Sequence, residues 1–190
     1  MKMKILGKSL IFLYIGALVI TSCRMASQLQ KGCPIENLLI DTSDLPGNQW
    51  EEVGSRSYRD APSKLGVERI GTGFSTPYYG IAGENAYRFQ NEEDAKNGLI
   101  DLANVWVRLE PEGTIWSQLE LPSQMSISAD EYRLDCSESG PQNVNTCWFL
   151  ARYKTTLIEF RTTMIIVKEN DLYNIIGKLN QKVENCIESK

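Results

Sequence analysis

Two cysteine-bearing segments constrain each other's register more tightly than anything else in this chain. Glu131-Tyr-Arg-Leu-Asp-Cys136 alternates, with Tyr132, Leu134 and Cys136 on one face. Cys147-Trp-Phe-Leu-Ala-Arg-Tyr153 alternates as well, with Cys147, Phe149, Ala151 and Tyr153 on one face. Placing Cys136 opposite Cys147 in an antiparallel pair sets Leu134 against Phe149, Tyr132 against Ala151, and Glu131 against Arg152 on the outer side. Apolar meets apolar and acid meets base in one register, and a slip by one residue would undo every match. The segment between, Ser-Glu-Ser-Gly-Pro-Gln-Asn-Val-Asn-Thr, reads as the hairpin loop. A disulfide is expected between Cys136 and Cys147.

The chain begins with a basic stretch, Lys2, Lys4 and Lys8, then an apolar run from Leu10 to Ile20, then Thr21-Ser22-Cys23. This is the plan of an export signal. The Ile-Thr-Ser-Cys step resembles the lipobox of bacterial lipoproteins. The resemblance implies cleavage before Cys23, lipid attachment to Cys23, and anchoring of the protein to the bacterial cell membrane, facing outside the cytoplasm. A spanning helix is the competing reading, but the uninterrupted apolar run is 11 residues against the roughly 20 a bilayer needs. A plain cleaved signal that leaves Cys23 free is the third. The expected organisation is a signal peptide over 1–22, a lipidated tether over 23–32, and one extracytoplasmic domain over 33–190.

With Cys23 assigned to the lipid, Cys33, Cys136, Cys147 and Cys186 remain, an even set in an exported chain. Pairing Cys136 with Cys147 leaves Cys33 with Cys186, which ties the start of the domain to its last helix. In the entropic account of cross-linking, the short loop is worth about 3 kcal/mol and the long one about 5 kcal/mol. A zinc site is disfavoured, because structural zinc ligands come in cysteine pairs two to four residues apart and this chain has no such pair.

Charge narrows the function classes. Residues 23–190 carry 17 of the basic residues and all 24 acidic ones, a net charge of −7. A nucleic-acid partner is therefore not expected, and membrane affinity must come from lipid on Cys23. The chain contains no histidine. That removes Ser-His-Asp and Cys-His nucleophile arrangements and the commonest transition-metal ligand. No cofactor is expected.

Along the chain, Asn37-Leu-Leu-Ile40 is a short apolar element, and Asp44-Leu-Pro-Gly supplies turn residues ahead of Trp50, a core plug. Arg69–Ser75 and Ala86–Gln90 read as strands. Asn91 caps a helix whose first turn holds Glu92, Glu93 and Asp94 and which runs to about Arg108. Ala95, Leu99, Leu102, Ala103 and Trp106 form its apolar face. Residues 110–128 mix loop and strand, with Trp116 packing. After a tight turn at 152–157, Thr156–Ile166 returns as a strand placing Ile158, Phe160, Thr162 and Met164 beneath Phe149 and Ala151. Trp148 then stands opposite Arg161 on the outer face, a cation–π arrangement. Asn170 or Asp171 caps a final helix to Glu188, whose stripe is Leu172, Ile175, Ile176, Leu179, Val183, Cys186 and Ile187.

These elements add up to an α+β domain: an antiparallel meander with two amphipathic helices packed on it and two disulfides. The order from Asp44-Leu-Pro through Tyr87-Arg-Phe to the helix, and the module Cys147-Trp-Phe-Leu-Ala-Arg-Tyr, strand, helix, are similar to small extracytoplasmic domains of the PsbP-like or mycobacterial kinase sensor type. The cysteine-closed hairpin and the cysteine-tied last helix resemble the latter. No functional residues transfer from that resemblance.

Candidate chemistry is sparse. Gly71-Thr-Gly73 is an isolated G-x-G, read as a strand-end bend and not a nucleotide loop. Glu92, Glu93 and Asp94 are explained by their place at a helix start, Glu110 and Glu112 by a solvated loop, and no calcium-loop pattern occurs. The best contact candidates are Tyr78 and Tyr79 in the Gly-bounded loop Thr76–Gly83, where exposed rings serve as anchors. The expected function is a non-catalytic, membrane-anchored binding or interaction module for a protein or small-molecule partner. An exported enzyme using carboxylates or a Ser/Lys pair, and a purely structural envelope protein, are the alternatives.

Overall fold

The computed structural model of the chain describes residues 33–58, 68–109, 114–137 and 145–188. The signal, Cys23, the tether, Glu110, Glu112 and most of the 137–146 loop lie outside the described residues, as do the side chains of Trp106 and Ile187. Two short 3-10 turns, Ile35–Leu38 and Thr42–Asp44, precede strands β1 (Glu51–Tyr58), β2 (Glu68–Ser75) and β3 (Ile81–Arg88). Helix α1 (Glu92–Leu109) leads to β4 (Trp116–Gln118), β5 (Glu131–Ser137), β6 (Thr146–Tyr153) and β7 (Thr156–Thr163), and helix α2 (Glu169–Glu188) follows.

Among the described residues the strands form one seven-stranded sheet in the order β1-β2-β3-β7-β6-β5-β4, antiparallel throughout. It consists of two meanders, β1-β2-β3 and β4-β5-β6-β7, joined where β3 pairs with β7 and linked in sequence by α1. The cysteine hairpin has the expected register: Cys136 stands opposite Cys147, Leu134 opposite Phe149, Tyr132 opposite Ala151 and Glu131 opposite Arg152. Both disulfides form, Cys136–Cys147 and Cys33–Cys186, with Cα atoms 4.1 and 5.1 Å apart.

The sheet is covered on both sides, and β6 shows it most clearly. Cys147, Phe149, Ala151 and Tyr153 join Ile158 and Phe160 of β7, Ile35, Leu38 and Trp50, and the α2 residues Leu172, Ile175, Ile176, Leu179 and Val183 in one core. Trp148 and Leu150 point the other way and pack with Leu157, Tyr87, Phe89 and the α1 residues Ala95, Leu102 and Ala103. Trp148 does stand opposite Arg161, but the face is not an outer one, since Trp148 is 3% exposed. Helix α1 covers it because its apolar stripe needs a sheet face and the α2 side is taken. Truncating Leu150 to Ala should therefore cost about 2–5 kcal/mol in urea unfolding, as for a core leucine. A solvent-facing position would lose well under 1 kcal/mol.

Local features depart from expectation in four places. Gly71 and Gly73 lie in the middle of β2 and not at its end, facing Asn85 and Gly83 of β3. Ile81, Ala82 and Gly83 belong to β3, so the tyrosine loop is only the turn Thr76–Gly80; likewise β3 starts five residues before Ala86. Helix α2 begins at Glu169, so Asp171 sits in its first turn, and its carboxylate accepts the Lys168 backbone N–H at 3.1 Å. Strand β7 ends at Thr163, which leaves Met164 just beyond it, half-buried against the α2-side core. At α1 the expected cap is present: Asn91 Oδ1 accepts the Asp94 N–H at 2.8 Å.

Candidate functional site

The face that α1 covers is sealed only over part of its area. Alternation places Asn85 and Tyr87 of β3 and Glu159 and Arg161 of β7 on this side, together with Gly71 and Gly73 of β2 and Gly83 of β3. Beneath α1, Tyr87, Leu157, Leu150 and Trp148 fill the space. Beyond it a cavity of about 380 Å3 opens, lined by Ile81, Gly83, Asn85, Thr146, Glu159, Arg161 and Thr163, with Ala82 and Thr162.

Glu159 anchors the polar end. It is 3% exposed, and its Oε2 accepts Tyr87 OH at 2.7 Å and Asn85 Nδ2 at 3.0 Å, while Oε1 accepts Trp148 Nε1 at 3.3 Å. A buried carboxylate needs such donors, because desolvation without them would be prohibitive. Asn85 is fixed from both ends, since its Oδ1 accepts Arg69 Nη2 at 3.0 Å. The Arg69 guanidinium lies 5.2 Å from the Tyr87 ring centre. Burial and the Glu159 charge hold the Tyr87 hydroxyl above its ordinary pKa, so it stays protonated as a donor. Alternation alone does not distinguish these positions from solvent-facing ones; the covering helix makes them part of a largely buried network.

The apolar end has a floor without side chains. Gly73 and Gly83 are cross-strand neighbours. The bulge between Glu52 and Gly54 brings Val53 against Gly73, its Cγ2 3.2 Å from where a Gly73 Cβ would stand. Val53 and Ile81 remain 66% and 59% exposed. A Cβ on Gly71 would strike the Asn85 side chain, whereas one on Gly83 would meet only Thr72 O at 3.7 Å, an ordinary contact.

Tyr78 and Tyr79 sit beside this cavity at the β2–β3 turn. They are 62% and 82% exposed. Thr76 holds the turn: its N–H donates to Gly80 O at 2.9 Å, and its hydroxyl accepts the N–H of Tyr78 at 3.3 Å and of Gly80 at 3.0 Å. Tyr79 has φ +64, a left-handed conformation that costs an aromatic residue about 1–2 kcal/mol. A side chain at Gly80 would collide with Ile166 and with Thr76 Oγ1, each at 2.8 Å. The two rings are thus displayed on a tightly braced turn.

Elsewhere, a trough of about 720 Å3 runs between the Thr42–Asp44 turn, residues 122–125 and α2. In its wall Asp44 pairs with Lys178 at 3.3 Å and, just outside the lining, with Lys182 at 3.5 Å. Glu84, the carboxyl that burial pushes up to about 8, is sealed under Ile40 and lines neither cavity. Glu92, Glu93 and Asp94 are exposed at the start of α1. Among the described residues no cluster of metal-ligating side chains forms and no helix is long and apolar enough to cross a membrane.

No protein-family model matches the chain, and no curated protein matches it. Among solved structures, its fold is similar to the extracellular domain of PknH from Mycobacterium tuberculosis, with a TM-score of 0.53 and 9% identity over 81% of this chain and 98% of that one. The likeness is one of fold, and it falls on the mycobacterial side of the resemblance that the cysteine-tied helix and hairpin suggested.

Proposed function

We propose that the chain is an extracytoplasmic, non-catalytic binding module, tethered to a membrane by lipid on Cys23 and presenting the Tyr78–Tyr79 turn to a protein partner. The observation that carries this reading is the placement of the two ends of β3. Cys33, where the domain starts, has its carbonyl held by Arg88 Nη2 at 2.9 Å, at the C-terminal end of β3. The tyrosine turn precedes Ile81, at the other end of that strand. Eight residues of strand separate them by roughly 24 Å. A tether ending at Cys33 would hold one end of the sheet towards the lipid and leave the tyrosines at the other.

Further support comes from cysteine pairing. The four described cysteines pair with each other, which leaves Cys23 as the odd member of the five. The fold likeness to an extracellular domain and the two disulfides agree with an oxidising compartment.

The test is cross-linking from intact membranes. A photo-reactive residue at position 79 of the full chain should trap a partner, and Cys23→Ser should weaken that yield. Tyr78→Ser with Tyr79→Ser should abolish trapping from a second, neutral position while moving the melting temperature by no more than about 2 °C, as for surface substitutions. A large drop in melting temperature would show that the rings are part of the core, and undiminished trapping would refute their role as contacts.

A further inference from the structure

We propose that the cavity beyond α1 binds a neutral, hydroxyl-rich ligand about the size of one sugar ring, a site independent of the tyrosine turn. Its volume, about 380 Å3, lies at the small end of small-molecule sites. The charged side chains in its lining are one cation, Arg161, and one anion, Glu159. They are two residues apart on the same face of β7. A ligand carrying a single charge would meet a lining that holds its like charge as well as its opposite. The excess of acid over base in residues 23–190 further disfavours an anion.

A zwitterion with an ammonium group is disfavoured for another reason. The Glu159 oxygens already take three donors, from Tyr87, Asn85 and Trp148. An ammonium would have to displace one of them, at the cost of an unsatisfied buried group. Hydroxyls fit better, because each can both donate and accept. The Arg161 guanidinium in the lining is a planar N–H fork, a geometry that matches two neighbouring hydroxyl oxygens. The Thr163 hydroxyl accepts the Ile81 N–H at 3.0 Å and keeps acceptor capacity. The floor suits the ring itself. Gly83 presents bare backbone and Ile81 adds apolar surface beside it, against which the C–H face of a pyranose can lie.

The floor also supplies the test. Gly83→Leu fills the cavity from below, and its Cβ meets only an ordinary contact, so the fold should survive. Saturation-transfer NMR on the full chain in detergent micelles, with N-acetylglucosamine as the neutral probe and benzoate and glycine as charged ones, reads binding directly. The expected result is transfer to the ring protons of N-acetylglucosamine, weakened roughly tenfold by Gly83→Leu with an unchanged melting temperature. Arg161→Gln should weaken it too and decides the matter if Gly83→Leu misfolds. Stronger transfer to benzoate or glycine would overturn the ligand class. Absence of transfer to the sugar, or transfer that both substitutions leave intact, would overturn the site.

Discussion

Replacing Cys33 and Cys186 together by Ser should destabilise the domain by about 3–5 kcal/mol and leave it partly unfolded at 37 °C. The bridge spans a sequence separation of 153 residues, so its loss releases nearly the whole domain in the unfolded state. What it fastens explains why the effect should not be relieved locally. The 33–40 segment places Ile35, Leu38 and Ile40, all buried, between the sheet and α2. Arg88 grips the Cys33 carbonyl and pairs with Glu68 at 2.7 Å, while Ile40 N–H donates to Glu84. Without the covalent tie, the end of α2 and this segment must hold each other by packing alone. Cys136–Cys147 closes a separation of 11 residues inside a register already set by side-chain matching, so its removal should cost less, about 2–3 kcal/mol. Denaturant unfolding of the two double-serine variants checks the order. Equal losses would show that loop length does not govern the contribution.

The second large effect is a pH dependence carried by Glu84. This side chain is 1% exposed. Its Oε2 accepts the Ile40 N–H at 2.8 Å, and its Oε1 has no partner. Burial pushes its pKa up to about 8, with the Ile40 N–H and Lys182 opposing and Asp44 assisting. The folded state therefore favours the protonated form. Its contribution is complete below the unfolded carboxyl value near 4.5 and is lost progressively as pH rises through about 8. Stability should fall by several kcal/mol between pH 5 and pH 9, an upper limit of about 5 kcal/mol from the size of the shift. Glu84→Gln keeps the Ile40 contact without the ionisation. It should match the parent at pH 5 and exceed it at pH 9. Urea unfolding at both pH values would show this, and parallel curves for the two proteins would exclude Glu84 as the source.

Legibility in the sequence followed the range of the interactions. The β5–β6 register could be read because an antiparallel pair with a short loop matches its side chains locally, Leu134 to Phe149 and Glu131 to Arg152. The start of α1 could be read because Asn91 and the acids after it act on the backbone within one turn. Helix α2 was visible from its stripe, which is a local periodicity. The cavity residues were not legible. Asn85, Tyr87, Glu159 and Arg161 alternate with core positions as solvent-facing residues do, and nothing within a few residues says that a helix will lie over half of them.

Readable from the residues alone are thus the β5–β6 hairpin, β2, β7 and the two helices to within a few residues, the pairing of Cys136 with Cys147 and of Cys33 with Cys186, and the α+β class, but not β1, β4 or the first half of β3. These rest on alternation, capping and cysteine count, all short-range or combinatorial. The joining of β3 to β7 and the two-sided burial of the sheet emerge only in the folded molecule. Those depend on which surfaces remain unoccupied once α2 has taken one face. By stopping short of Gly83 and Arg161, α1 leaves open the cavity whose polar end Glu159 anchors.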